Sequence, residues 1–153
     1  MRPLHPVWPN LARVFFASWY LVGCIVHVRC GLTNPQMIYA QFGRTSLFPF
    51  FRELWFSLIM PHIALFALLL AVFELATGLL LLSQGKRVTV GLVASVLFNL
   101  FLAQLGMGFA SAGWRTDFLT NRLPPLLFAV LQAPLFRIHF EHSWLDLLSP
   151  RPR

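Results

Sequence analysis

Acidic side chains are scarce in this 153-residue chain: five Asp and Glu stand against twelve Lys and Arg, and all charged residues together make up 11%. A water-soluble domain carries about 25% charged residues. So few charges cannot clothe the surface of a 17.5 kDa globule. Cysteine is nearly as rare, with only Cys24 and Cys30. They lie ~240° apart around a helix and form no Cys-x-x-Cys, which excludes the usual membrane thiol oxidoreductase. There is no Gly-rich phosphate loop, no nucleophile elbow and no paired-carboxylate set. No catalytic residue and no metal site is assigned on these grounds, which favours a non-catalytic subunit of an oxidoreductase without deciding whether the chain is an enzyme.

What the chain has in excess is apolar surface: 58% hydrophobic and 15% aromatic, including sixteen Phe and five Trp, with a mean hydropathy of +0.69. A disordered basic tail has no such content. The isoelectric point near 11.1 raises nucleic acid as a partner, but the arginines fall singly or in pairs between apolar stretches. No basic stripe with interleaved aromatics exists, so nucleic acid is excluded and the lipid bilayer is the expected partner.

Four apolar stretches, about residues 12–28, 61–83, 88–110 and 119–138, predict an all-α polytopic membrane protein in one domain, a four-transmembrane-helix bundle. The core of the fourth is short, and Pro134 within it predicts a kink. With four spans, one face carries Arg2, Arg13, Lys86, Arg87, Arg137, Arg151 and Arg153. The other carries Arg29, Arg44, Arg52, Arg115 and Arg122. The bias places both termini in the cytoplasm of a bacterial inner membrane. Leu21-Val22-Gly23-Cys24 resembles a lipobox. The chain stays apolar beyond Cys24, however, where a processed lipoprotein continues into a polar tether.

Between the first two spans, residues 31–58 hold Pro35, Pro49, Gly31 and Gly43 together with Phe48, Phe50, Phe51, Trp55 and Phe56. This is too apolar for a solvated loop and too interrupted for a span. It reads as an interfacial or re-entrant segment. Its aromatic part, 48–56, and the tail Ser149-Pro150-Arg151-Pro152-Arg153 are the expected contacts with other membrane subunits.

Ionisable residues inside a span are costly, so each is a candidate functional site. Glu74 is the clearest. It shares one helix face with Ala64, Ala67, Ala71 and Gly78, and small residues there let a neighbouring backbone approach closely. Gly91, Ser95, Asn99 and Ala103 recur every four residues in the third span, and Gly23 is the small residue of the first. At ~1.5 Å per residue, Glu74, Asn99 and Tyr20 fall ~10–16 Å from one boundary. A Tyr20–Glu74–Asn99 polar cluster is therefore expected, with Arg13 reaching in from below. One reading makes Glu74 a proton acceptor or hydrogen-bond donor to a quinone-like head group. The other makes it a helix-clamping hydrogen bond without chemistry. Toward the opposite boundary lie His27, His62 and Gln104, a possible ligand contact. Two facing histidines could hold haem or a chlorin, but the spacing matches no ligand motif, and they read as interfacial residues. No cofactor of the chain's own is expected, only quinone or lipid contact.

The segment Phe73-Glu74-Leu75-Ala76-Thr77-Gly78-Leu79-Leu80-Leu81-Leu82, followed by Gly85 and Arg87, resembles the second-helix signature of DoxX-like membrane proteins. Arg13, Gly23 and His27 resemble that family's first helix, and Pro61 fits the approach to its second. The resemblance covers about residues 11–105 and fades at Leu123-Pro124-Pro125. It implies a small four-helix inner-membrane subunit associated with oxidoreductases, thiosulfate:quinone oxidoreduction or redox-stress complexes, or an assembly or chaperone factor. By position it singles out Glu74, Gly78, Arg13 and His27. The function expected is an accessory subunit of a respiratory or photosynthetic membrane redox complex that lines a quinone path. The alternative is a quinone-linked oxidoreductase component built on the Glu74 layer.

Overall fold

The computed structural model describes residues 7–144, which contain helices and no strand. The tail 149–153, expected to contact partners, lies outside the described residues, as do Arg2, Arg151 and Arg153. Helix α1 spans Val7–Thr33, α2 Pro35–Arg44, α3 Pro49–Leu54, α4 Ile63–Leu82, α5 Lys86–Leu105, α6 Trp114–Asp117 and α7 Leu123–Leu131. Three stretches are long and apolar enough to cross a membrane: Val7–Thr33, Pro49–Leu82 and Lys86–Leu105. Their outward side chains are large and apolar, among them Phe15, Val22, Leu68, Leu75, Val90 and Leu97. That arrangement suits hydrocarbon as the surrounding solvent.

The second stretch differs from the expected one. The sequence reading starts a span near 61 and leaves 31–58 as a separate segment, yet α3 runs into α4 through a π turn at Trp55–Ile59 and a 3-10 turn at Met60–His62. Pro61 has no N–H and its ring crowds the preceding turn. Widening that turn, so that the Met60 N–H reaches back to the Trp55 carbonyl, keeps the helix continuous past it. The same device recurs before Pro124, where Leu123 N–H bonds the Phe118 carbonyl across a second π turn, Phe118–Arg122. A π turn is one of the ways a helix absorbs a local irregularity.

Beyond α5 the boundaries also move. Helix α5 stops at Leu105, because Gly106 takes φ +94°, a left-handed conformation that ends the helix. The expected third span runs to 110. The expected fourth, 119–138, is not one helix: α7 ends at Leu131 and a 3-10 turn covers Ala133–Arg137. Pro134 disfavours α geometry in the residue before it.

Helix α1 packs along α4, α4 against α5 and α5 against α7. Phe128 of α7 returns to α1 in an edge-on contact with Phe16, 4.8 Å between ring centroids, and a tilted one with Trp19 at 5.4 Å. One apolar core holds Phe16, Ala17, Tyr20, Leu81, Val88 and Leu92; a second, toward the other end, holds Tyr39, Ile63 and Ala67.

Two buried arginines tie the ends of this bundle. At one end Arg13, fully buried, donates to the carbonyls of Ser83 and His142, both at 2.9 Å, and lies 4.9 Å from the Phe140 ring centroid. A cation at the C-terminus of α4 complements its dipole. At the other end Arg122 pairs with Asp117 at 2.9 Å, a spacing of five residues that suits the π turn between them. An α-helix leaves its last four carbonyls without internal partners, and here all four of α5 are satisfied. Leu102 accepts from Gly106 N–H, Ala103 from Arg122, Gln104 from both Arg122 and Leu47 N–H, and Leu105 from the Thr45 hydroxyl. Arg122 also bonds the Thr45 carbonyl. Removing one partner of a buried ion pair costs about 3–5 kcal/mol. Arg122→Ala is therefore expected to lower unfolding stability by that order, measured by denaturant titration in detergent, and Asp117→Asn to lower it less.

Candidate ligand cavity and its polar end

Tyr20, Gly23 and His27 occupy one face of α1, at spacings of three and four residues. Opposite them α4 presents Ala67, Ala71, Glu74 and Gly78, all buried, while Ala64 of the same sequence pattern is exposed. The backbones approach closely at Gly78, whereas at Gly23 the close neighbour is the Glu74 side chain. A Cβ at Gly78 would sit 2.9 Å from Leu21 and 3.2 Å from the Ala17 carbonyl. A Cβ at Gly23 would sit 2.7 Å from Glu74 Oε1 and 2.8 Å from Oε2. Gly91 plays the same part between α4 and α5, where a Cβ would lie 3.0 Å from that of Leu80.

The carboxyl thus lies across Gly23, and from there it turns toward His27, not Tyr20. The expected polar cluster divides in two. Tyr20 hydroxyl donates to Ser95 Oγ at 2.8 Å and accepts from Asn99 Nδ2 at 2.9 Å, and that amide also donates to the Ser95 carbonyl at 2.9 Å. This trio clamps α1 to α5 with no hydrogen bond to Glu74. Arg13 is engaged at the end of the bundle, about two helical turns below Tyr20, and does not reach the carboxyl.

Glu74 belongs instead to a line of three side chains. His27 Nε2 stands 3.6 Å from Glu74 Oε1, and His27 Nδ1 is hydrogen-bonded to the Tyr39 hydroxyl. With the phenol as donor, the ring proton sits on Nε2 and faces the Glu74 carboxyl. Glu74 Oε2 is buried and has no hydrogen-bond partner among the described residues. An unpaired buried oxygen is costly and points to a missing donor or acceptor.

Glu74 borders a cavity of about 540 Å³ between α1, α2, α4 and α5, within the size range of small-molecule sites. Its walls are apolar and aromatic, including Phe42, Trp55, Ile59, Phe66, Leu70 and Leu102, and its polar groups are His27, Tyr39 and Glu74. The lining residues Trp19, Val22, Val26 and Phe101 are also exposed. They mark an opening between α1 and α5, on the face where lipid would lie.

Helix α2 closes the cavity's far end. It begins where Asn34 Oδ1 accepts the Met37 N–H at 3.4 Å and Pro35 occupies the first helical turn. Trp55 Nε1 donates to the Tyr39 carbonyl at 2.9 Å and holds α2 against the long helix. His62 is exposed and lines no part of the cavity, and Gln104 donates to Ser46 Oγ at 2.9 Å in the end clasp. Among the described residues, no group of three His, Cys, Asp or Glu is placed to hold a metal ion. The chain matches no protein-family model, no curated protein and no solved structure.

Tyr39 and Arg122 carry no sequence signal as site or clasp residues, while Trp55, expected among the contacts of the aromatic segment, holds α2. The Asn34-Pro35 pair was the available signal for α2, since a capping side chain followed by proline marks a helix start. Nothing local announces that Tyr39 faces His27.

Tyr39 lies outside the three candidate spans, and burial pushes its phenol above the ordinary value. The neutral, donating form is favoured in the folded protein. The associated stability is fully present below the unfolded value near pH 10 and is lost as pH rises through the higher folded value. In a Tyr20→Phe background, phenolate absorbance at 295 nm should stay flat through about pH 10 and rise only on unfolding. A normal titration would contradict the buried phenol.

Proposed function

We propose that this chain is a four-helix subunit of a bacterial inner-membrane redox complex whose cavity holds the head of a quinone-like amphiphile. The observation that carries the reading is Glu74, whose carboxyl has an unpaired oxygen and which stands with His27 and Tyr39 at the polar end of an otherwise apolar cavity. A quinone has the matching shape: a flat ring for the aromatic wall, a carbonyl or hydroxyl for Glu74, and an isoprenoid tail for the opening toward lipid. Tyr39 fixes the imidazole and the imidazole faces the carboxyl, so the three can adjust to a head group that accepts or donates a hydrogen bond.

Helix α7 and the 3-10 turn after it serve as the fourth span in this reading, with both termini cytoplasmic by the arginine distribution. The DoxX-like pattern around Glu74 and Gly78 supports the same assignment. The exposed rings of Phe48, Phe50 and Phe56 are where a neighbouring subunit docks. Electrons come from that partner, since the chain carries no redox group of its own in this reading.

Purification in mild detergent, followed by mass spectrometry of subunits and extracted lipids, tests the proposal. Wild-type protein should carry a quinone together with larger redox subunits. Glu74→Leu, which removes the hydrogen-bonding group, should reduce quinone retention by roughly tenfold or more. Ile59→Trp, which fills the cavity, should do the same while the helical content is kept. A monomer free of quinone and partners would overturn the reading.

A further inference from the structure

A second hollow, about 460 Å³, lies at the end of the bundle where α5 stops. It is independent of the quinone reading. Helix α2 contributes to both hollows, turning Tyr39 and Phe42 to the first and Gln41 and Arg44 to the second. The second is polar, lined also by Thr45, Ser46, Ser111 and Asp117, and carries three arginines: Arg44, Arg52 and Arg122.

Its charges do not cancel. Asp117 is fully engaged: it pairs with Arg122 at 2.9 Å and accepts from Asn121 at 2.9 Å and Ser111 at 3.3 Å. Arg44 and Arg52 have no carboxylate within ion-pair distance among the described residues. Arg52 uses one nitrogen to donate to the Arg44 carbonyl at 3.2 Å, which brings two like charges to one hollow. Both guanidiniums keep further donors free, and forked N–H donors of this kind match phosphate oxygens.

The surroundings select among phosphates. Leu47 and Phe109 line the hollow, and both are exposed, as are the neighbouring Phe48, Phe50 and Trp114. The hollow sits where α5 ends and the Pro49–Leu82 helix begins, the level at which aromatic belts and headgroups meet. We propose that it binds the headgroup phosphate of an anionic phospholipid, with Arg44 and Arg52 on the phosphate and the acyl chains along Leu47 and Phe109.

Native mass spectrometry of delipidated protein in detergent tests this with phosphatidylglycerol, phosphatidylcholine and inorganic phosphate as probes. Wild-type protein should retain phosphatidylglycerol in preference to phosphatidylcholine, and millimolar inorganic phosphate should not displace it. The double variant Arg44→Gln/Arg52→Gln should lose roughly tenfold or more of that retention, with circular dichroism and elution unchanged. Arg44→Lys/Arg52→Lys should keep most of it. Equal retention of the two lipids, or by wild type and the glutamine variant, would overturn the proposal. Displacement by inorganic phosphate would overturn the lipid assignment in favour of a free-phosphate site. Should the glutamine variant not fold, the lipid comparison and the phosphate competition on wild-type protein decide. Quinone retention is read separately and does not enter the result.

Discussion

Across Gly78 the backbones of α1 and α4 approach closely, with the Ala17 carbonyl 3.2 Å from where a Cβ would sit, and over Gly23 the Glu74 carboxyl takes the space of one. In a bilayer the hydrophobic effect gives no drive for helices to associate, so close packing and shared hydrogen bonds must supply it. The α1–α4 contact supplies the packing, and the Tyr20–Ser95–Asn99 trio adds the polar link to α5. The same approach lays the Glu74 carboxyl flat over Gly23 and directs it along α1 to His27. The polar line follows from the space that Gly23 leaves for that carboxyl.

A second constraint acts at the bundle's ends, where backbone carbonyls cannot be left dry. Arg13 serves the α4 end and Arg122 the α5 end. Their different partners explain why they are not interchangeable. Arg13 gathers the α4–α5 turn and the segment around Phe140 and His142, with Gly85 N–H reaching the Phe140 carbonyl at 2.7 Å. Arg122 joins α5, the π turn before α7 and the end of α2. The first closes a corner of the bundle, whereas the second positions a wall of the cavity.

The membrane-like composition, the small-residue faces and the isolation of Glu74 could be read from residue order, because periodicity and hydropathy are local properties. Tyr20 and Asn99 could also be paired by depth alone. Depth could not say which of two neighbours about two turns apart on one face of α1 would take the carboxyl, since that depends on the Glu74 rotamer and the register of α4 along α1. Pro61 reads as a boundary, but a π turn before it carries the helix through, and a second π turn precedes Pro124. Arg122 counted only as a topological charge, because its Asp117 partner lies five residues away, a spacing that a regular α-helix does not bring together.

Helix α2 is only ten residues long and would not be stable by itself, yet it carries Tyr39 at the cavity and Thr45 beneath Arg122. Its hold on the bundle comes from both sides at once. Loosening at Arg122, on a different helix and outside the cavity wall, would propagate along one rigid turn-and-a-half to the Tyr39 hydroxyl and release the imidazole it orients. The polar end of the cavity is thus held in part by an arginine that lines no part of it.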